Sequence, residues 1–464
     1  MNDMDQKSGR RNAFIFVCIT AFSLLVGIML GVWNGRFILH DFSDDAGIMA
    51  YHETASMLLH MGSLHGPDSL FFETHRRPPG YPLLLALTYA VIGERLWSIW
   101  ILHLTLWIGI LFFLWRISAR FFVGIYALAP ILLFGAWWGG LSHLFAVNAE
   151  IAALFFMVLF VWSFFRYQET KFLRLAIAQS LGLAMLILIK PIFLYSLPFV
   201  AFFFLLQNGV HRRVLSHGLI GATVIIFAVG GWSLYSYYTV GTFQISSNAV
   251  TLLRRADDVH LSFARLKAFT LASLAGDLTA DFVSPGYADN PEPLNQETVA
   301  REKVFFMRRL PDKSNDTALQ EEAYQEAISL IKENPLKFIL TGIPYVIRLH
   351  MPLTLEGAES AHVFVGTHMS LSPAKKIFIL FLIFIPWYLF VIGVWTSIVF
   401  HLRAWRTWGL PIFLITYVTI MYALFTHAEP RYLMPVMPFY ALFFAGGIYY
   451  VMRRYFPNAF MFNI

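Results

Sequence analysis

The sequence predicts an all-α polytopic membrane protein, and three observations carry that prediction. Of its 464 residues, 58% are hydrophobic and only 13% are charged, against about a quarter charged in soluble domains. Apolar runs such as Ala13–Trp33, Leu96–Trp115, Ile377–Phe400 and Leu410–Phe425 approach or exceed the roughly 17–25 residues that carry a helix across the hydrocarbon core, where backbone groups have no partner but one another. Lys and Arg collect in short clusters between these runs (Arg116/Arg120, Arg166/Lys171/Arg174, Arg212/Arg213, Arg403/Arg406, Arg453/Arg454). The net charge of +6 therefore reads as positive-inside topology with membrane lipids as neighbours, and no nucleic-acid partner is expected.

The chain begins with Lys7, Arg10 and Arg11 ahead of an apolar run longer than the roughly 7–15 residues of a cleavable signal core, so that run is expected to stay as the first span. With its basic end in the cytoplasm, residues 34–80 emerge outside. They hold a polar, His-rich island that opens on Asp44 and Asp45 and leaves through His75-Arg76-Arg77-Pro78-Pro79. Inside it Ile48, Tyr51, Ala55, Leu58 and Leu59 recur at helical spacing, predicting a short helix on the membrane surface. Further spans over about 121–138, 149–165, 172–190, 191–207 and 217–239 alternate between the basic clusters. Two stretches strain the count: 80–93 is short, and 337–353 carries Pro344, Arg348 and Pro352. One or both are expected to dip into the outer leaflet without crossing.

Three parts follow: a transmembrane module over 1–240 that includes the outer loop 34–80, an extracytoplasmic segment 241–336, and closing spans over 337–464. The middle segment reads mostly as loop. Within it Thr317-x-x-Gln320 has the pattern of a capping box, opening a helix with Leu319, Ala323, Ala327 and Leu330 on one face and ending at Asn334-Pro335. The lone Cys18 excludes a disulfide framework and a thiolate metal site. No phosphate-binding glycine loop, dinucleotide fingerprint or serine elbow occurs, which disfavours a nucleotide-driven pump or a nucleotide-sugar transferase of soluble type.

The same topology puts Asp44, Asp45, Arg77, Glu150, Lys190 and the turn from His427 to Arg431 on one side of the membrane. A paired Asp at the mouth of a bundle can take a proton from a hydroxyl, or it can simply cap a helix. Arg77, stiffened by the two prolines, can grip a phosphate; Arg76 can equally snorkel to headgroups. Ionisable residues at span ends are costly and mark Glu150, Lys190 and Arg431 as candidates, with interfacial anchoring as the alternative for the first two. His427, Glu429 and Arg431 crowd into five residues. Carboxylates and histidines on one face can hold a divalent metal, although no HExxH spacing is present.

Taken in order, these pieces resemble the GT-C membrane glycosyltransferases, in particular the family 39-type branch related to protein O-mannosyltransferases and to the lipid A aminoarabinose transferase. The resemblance rests on the acidic start (Asp44, Asp45), YHETA, RRPPGYPLLLA, Asn148-Ala149-Glu150, Lys190-Pro191, GWSLYSYYTVGTFQISS, Glu333-Asn334-Pro335 and Glu429-Pro430-Arg431-Tyr432-Leu433-Met434-Pro435, and it runs over nearly the whole chain. It implies a GT-C-like bundle of about 10–12 transmembrane helices with juxtamembrane helices outside. It also implies transfer of a sugar from a polyprenyl-phosphate-linked donor to a lipid, glycan or protein acceptor, with inversion, on the periplasmic face of the bacterial inner membrane. By this carry-over Asp45 or Asp44 is the general base, and Arg77 holds the donor phosphate with Arg431 and Lys190. Tyr51, His75, Arg76, Tyr81, Glu150, His427, Glu429 and Tyr432 complete the candidates. The competing reading is a transporter, flippase or polymerase of lipid-linked glycans. It predicts charges near the midplane on broken, repeated helices, whereas here they gather at one surface and no repeat is seen. A purely structural membrane scaffold gives no reason for these charges to share a face.

Overall fold

The computed structural model describes residues 3–33, 46–61, 78–240, 243, 245, 249–275, 314–352, 380–426 and 429–455. Asp44, Asp45, His75, Arg76, Arg77 and His427 lie outside the described residues. Every regular element described is helical. In chain order these are α1 (Asp3–Trp33), α2 (Ala46–Met61), α3 (Gly80–Ile92), α4 (Leu96–Phe121), α5 (Ala129–Gly135), α6 (Trp138–Ser142), α7 (Glu150–Thr170), α8 (Leu173–Ile189) and α9 (Leu197–Asn208). They continue with α10 (Arg212–Ile225), α11 (Gly231–Val240), α12 (Ala249–Ala256), α13 (Phe263–Ala275), α14 (Ser314–Glu333), α15 (Pro335–Leu349), α16 (Ile385–His401), α17 (Trp405–Phe425) and α18 (Met437–Tyr455).

Among the described residues seven helical stretches are long and apolar enough to cross a membrane, and one of them, Leu382–Phe425, has 44 residues, about twice what one crossing takes. Gly80–Ile92, Gly124–Gly135 and Leu173–Ile189 are shorter apolar helices. The protein is therefore an all-α, multi-pass membrane protein. The expected span over 121–138 is built from a 3-10 turn, Gly124–Leu128, and the short α5.

The chain divides into two compact units: residues 1–232, 390–415 and 434–464 form one, and 233–389 with 416–433 the other. In the first, α7 and α8 form an antiparallel hairpin. Lys171 ends α7 in the left-handed region (φ 56°), its N–H bonded to the Tyr167 carbonyl. Polar side chains tie further helices together where lipid could not satisfy them: Trp107 Nε1 donates to Ser23 Oγ at 2.9 Å, and Ser23 Oγ donates to the Gly135 carbonyl at 2.7 Å. That links α4, α1 and α5. Large apolar side chains left outside, such as Phe14, Phe227 and Val91, need no other explanation in a chain whose solvent is lipid.

In the second unit, α12 and α14 enclose a core of Leu253, Ala256, Val259, Ala323, Ala327 and Phe338. The predicted helical face with Ala323 and Ala327 is the buried one, and α14 stops before Asn334-Pro335 as its sequence dictates. The capping-box reading is corrected at its start: α14 begins at Ser314. Gln320 does not serve as its cap; its Oε1 accepts instead from the Ala249 N–H at 3.2 Å. Residues 249–275, expected as loop, form two helices around a 3-10 turn, Asp257–His260.

A single side chain organises this unit. Arg255 is fully buried, donating from Nη1 to Asp258 Oδ2 (3.2 Å) and Thr341 Oγ1 (3.0 Å), from Nη2 to the Phe338 carbonyl (2.9 Å) and from Nε to the Ala423 carbonyl (3.1 Å). The Tyr345 hydroxyl donates to the same Asp258 oxygen at 2.7 Å, while Asp258 Oδ1 has no hydrogen-bond partner among the described residues. Burial pushes Asp258 up from its ordinary value to about 6, against the pull of the Arg255 charge and the Tyr345 hydrogen bond. Burial likewise pulls Arg255 down, opposed by Asp258. The network joins α12, α15 and the last turn of α17.

Candidate functional site

The island's helix α2 forms where its apolar spacing predicts, with Tyr51, Thr54, Ala55 and Leu58 along the covered side. It packs on α3 through two contacts and on the α3–α4 turn through two more. The Tyr51 ring meets Tyr81 edge-on at 5.0 Å, and His52 Nδ1 lies 3.3 Å from the Tyr89 hydroxyl. Glu94, in the α3–α4 turn, takes His60 Nε2 on one oxygen at 2.7 Å and faces His52 Nε2 with the other at 3.5 Å. Burial works to raise the Glu94 carboxyl, but hydrogen bonds from His60 and Ser56 and the two imidazoles outweigh it and hold it below the usual carboxylate range. These contacts set the position of the helix that begins one residue after Asp45.

The entry to α3 is just as tightly set. A Cβ on Gly80 would stand 2.8 Å from the Leu188 carbonyl carbon and 2.9 Å from the Ile189 nitrogen, so only glycine lets α3 start against the end of α8. The next residue after Ile189 is Lys190, whose Nζ donates to Glu150 Oε1 at 2.9 Å with both side chains mostly buried. Glu150 opens α7 and Lys190 closes α8. Each charge thus complements its own helix dipole, as well as the other charge across the hairpin's open end. Asn148 Oδ1 accepts from the Glu150 N–H at 3.4 Å, and its Nδ2 meets His143 at 2.7 Å.

Beside this pair lies a buried hydrogen-bond chain. The Tyr81 hydroxyl is 2.9 Å from His103 Nε2, and His103 Nδ1 is 3.1 Å from the Leu144 carbonyl. The carbonyl can only accept, so Nδ1 carries a proton, and in the neutral ring Nε2 accepts from Tyr81. Glu150 is within electrostatic reach of both Tyr81 and His103. Of the predicted residues, the structure thus brings Tyr51, Tyr81, Glu150 and Lys190 into one neighbourhood. Arg77 precedes Gly80 by three residues in the sequence and lies outside the described residues.

In the second unit the turn after α17 holds its own cluster. Arg431 Nε lies 2.6 Å from Glu429 Oε2, its guanidinium sits over the Tyr432 ring at 5.7 Å, and Tyr432 stacks on Tyr422 at 4.7 Å. Among the described residues no group of three or more His, Cys, Asp or Glu is arranged to hold a metal ion; four of the expected ligands, Asp44, Asp45, His75 and His427, lie outside them. Sequence reasoning missed His103, Glu94, His52, His60 and the Arg255–Asp258 pair. Only the two histidines gave a signal, as part of the island's His-rich run.

No family model matches the chain, and no curated protein does. Among solved structures its fold is similar to that of an archaeal oligosaccharyltransferase, AglB from Archaeoglobus fulgidus, in complex with an inhibitory peptide and a dolichol-phosphate. The TM-score is 0.53 at 11% sequence identity over 97% of this chain, which spans about half (52%) of that protein's length.

Proposed function

We propose that this protein is a membrane glycosyltransferase that moves a sugar from a polyprenyl-phosphate carrier to an acceptor hydroxyl on the periplasmic side of a bacterial inner membrane. The observation that carries the reading is the likeness of fold to AglB, an oligosaccharyltransferase seen with a dolichol-phosphate. It is supported by the acidic and basic ends of the island that lead into α2 and α3. A glycosyl phosphate already has a good leaving group, so the chemistry needs one base and a cationic clamp rather than a general acid.

In this mechanism Asp45 or Asp44 takes the proton of the acceptor hydroxyl. The freed oxygen forms a bond to the anomeric carbon as the carbon–oxygen bond to phosphate breaks on the opposite face, and the electron pair leaves with the polyprenyl phosphate. One displacement inverts the anomeric centre. Arg77 grips the phosphate as its charge grows, and Lys190, at the end of α8 that receives the start of α3, adds a second cation. Arg431 is the third phosphate candidate, tested by itself through Arg431→Gln and Arg431→Lys. Lipid A, other glycans, other polyprenyl lipids and proteins all offer hydroxyls or amines of the required kind, and a divalent ion is tested by chelation.

The experiment compares surface glycans and lipids by mass spectrometry in a strain lacking the protein and in the same strain complemented with wild type or with the Asp44→Asn/Asp45→Asn double variant. The expected result is a sugar modification lost in the deletion, restored by wild type and not by the double variant. Full restoration by the double variant, at equal membrane abundance, would overturn the assignment of the base.

A further inference from the structure

His103 is the titratable residue in the first turns of α4, and it is fully buried, as are the two residues it touches, Tyr81 and Leu144. An imidazole in such a place is costly unless its nitrogens are paired. An aliphatic side chain would fill the space without that cost, so what the histidine adds is direction. Its Nδ1–H is committed to the Leu144 carbonyl at 3.1 Å, and Nε2 accepts from the Tyr81 hydroxyl at 2.9 Å. Turning the ring over would set C–H groups against both partners. The Tyr81 hydroxyl therefore has one place to point.

Both ends of this link are themselves held. Leu144 packs on α1 so closely that a Cβ on Gly27 would come within 2.6 Å of its Cδ1. Tyr81 follows Gly80, which has no room for a side chain against the Leu188–Ile189 backbone. Its ring is thus fixed through its backbone by α8 and through its hydroxyl by α4. Tyr51 of α2 meets that ring edge-on at 5.0 Å. The ties of α2 through His52 and His60 reach the other end of α3, at Tyr89 and Glu94; the contact of Tyr51 on Tyr81 is made at its first turn.

We propose that His103 is a positioning residue: through its hydrogen bond it holds the Tyr81 ring as the seat for Tyr51, and so sets the first turns of α2 against the start of α3. It acts through Tyr81 and not on the reacting atoms. Its bearing on sugar transfer rests on the glycosyltransferase reading, in which α2 begins one residue after Asp45 and two after Asp44. Its bearing on α2 does not.

The test uses the full chain in nanodiscs, with deuterium uptake followed by mass spectrometry over α2, Ala46–Met61, and, as a reference in the same unit, over α7, Glu150–Thr170. Tyr81→Phe removes the hydroxyl and keeps the ring, His103→Leu removes the acceptor, and His103→Gln supplies an amide oxygen in its place. The expected result is uptake in α2 several-fold faster in Tyr81→Phe and His103→Leu, uptake in α7 unchanged, and both as in wild type for His103→Gln. In the deletion strain, the rate at which the sugar modification appears after induced expression should fall about a hundredfold in the first two variants, the cost of a displacement of about 1 Å at a reacting group, and return with His103→Gln. Unchanged uptake in α2 in both variants overturns the proposal, because the link then positions nothing. Uptake rising equally in α2 and α7 also overturns it, because the link then only holds the core together. A loosened α2 with transfer at the full rate overturns the role in transfer. If wild type itself adds no sugar, the glycosyltransferase reading fails, and the exchange of α2 alone decides the proposal.

Discussion

Arg255→Met should loosen the whole second unit, because it removes a cation that α12, α15 and the last turn of α17 share. Removing one partner of a fully buried ion pair costs about 3–5 kcal/mol. Here Asp258 already titrates at about 6, so without Arg255 it takes up a proton at neutral pH instead of staying charged. That relief holds the loss to the lower end, about 3 kcal/mol. Asp258→Asn keeps an acceptor for Tyr345 and Arg255 and replaces charged hydrogen bonds with neutral ones, a loss of about 1–2 kcal/mol. The pH dependence has a definite sign. A carboxyl raised from 3.8 to about 6 binds its proton more tightly in the folded state, so its contribution to stability falls as pH rises between about 4 and 6, by about 3 kcal/mol in all. Asp257 pushes the same way and Arg254 opposes it. The assay is the reactivity of a thiol placed at Ala327, which is fully buried beside Ala256 and Phe338, in a Cys18→Ser background and corrected for thiolate fraction. Opening should be about a hundredfold more frequent in Arg255→Met at pH 7, and the slope between pH 4 and 6 should vanish in Asp258→Asn. Equal labelling of Arg255→Met and wild type, or an unchanged slope in Asp258→Asn, refutes the reasoning.

Other perturbations probe the first unit. Glu150→Gln and Lys190→Met should each lower the melting temperature in detergent, and the double variant should lose less than the sum, with a coupling of about 1–3 kcal/mol; strict additivity would deny that the pair acts as a unit. Gly80→Ala forces a methyl against the Leu188–Ile189 backbone and should cost about 1–3 kcal/mol, whereas Ala at Gly93, where nothing approaches, should strain only the backbone. Unfolding of the two purified variants compares them directly. Glu94→Gln should free α2: because Glu94 is held below the usual carboxylate range, its tie is present at neutral pH and is lost as pH falls through the acidic range. Protease or thiol accessibility of α2 should therefore rise in the variant at pH 7 and converge with wild type in acid.

The legible parts of this chain are the ones that lipid makes obligatory. Leu96–Phe121 and Glu150–Thr170 could be read as spans because an apolar run of that length has no other stable form in a bilayer. Glu150 and Lys190 stood out because charge at a span end is costly; their pairing was hidden, since it depends on the α7–α8 hairpin bringing together residues 40 apart. His103 was masked for a related reason. A single polar residue in an apolar run gives no hint that its partner is Tyr81. Arg255 and Asp258 fall in a segment that reads mostly as loop, and their burial depends on α15, whose Phe338 and Thr341 meet Arg255 from more than eighty residues downstream.

The Glu150–Lys190 pair also bears on how phosphate would be held. A lysine already 2.9 Å from a carboxylate presents an approaching anion with a dipole, whose field falls off faster than that of a bare charge. Such a cation steers little at a distance and helps chiefly at contact, through ammonium protons directed away from Glu150. The long-range pull on a donor phosphate must then come from another cation. In the proposed mechanism that cation is Arg77, three residues ahead of α3 in the sequence. Glu150 meanwhile offsets the cost of holding the Lys190 ammonium in a mostly buried place, where an unpaired charge is strongly destabilising. The carboxylate therefore weakens Lys190 as an attractor and preserves it as a donor.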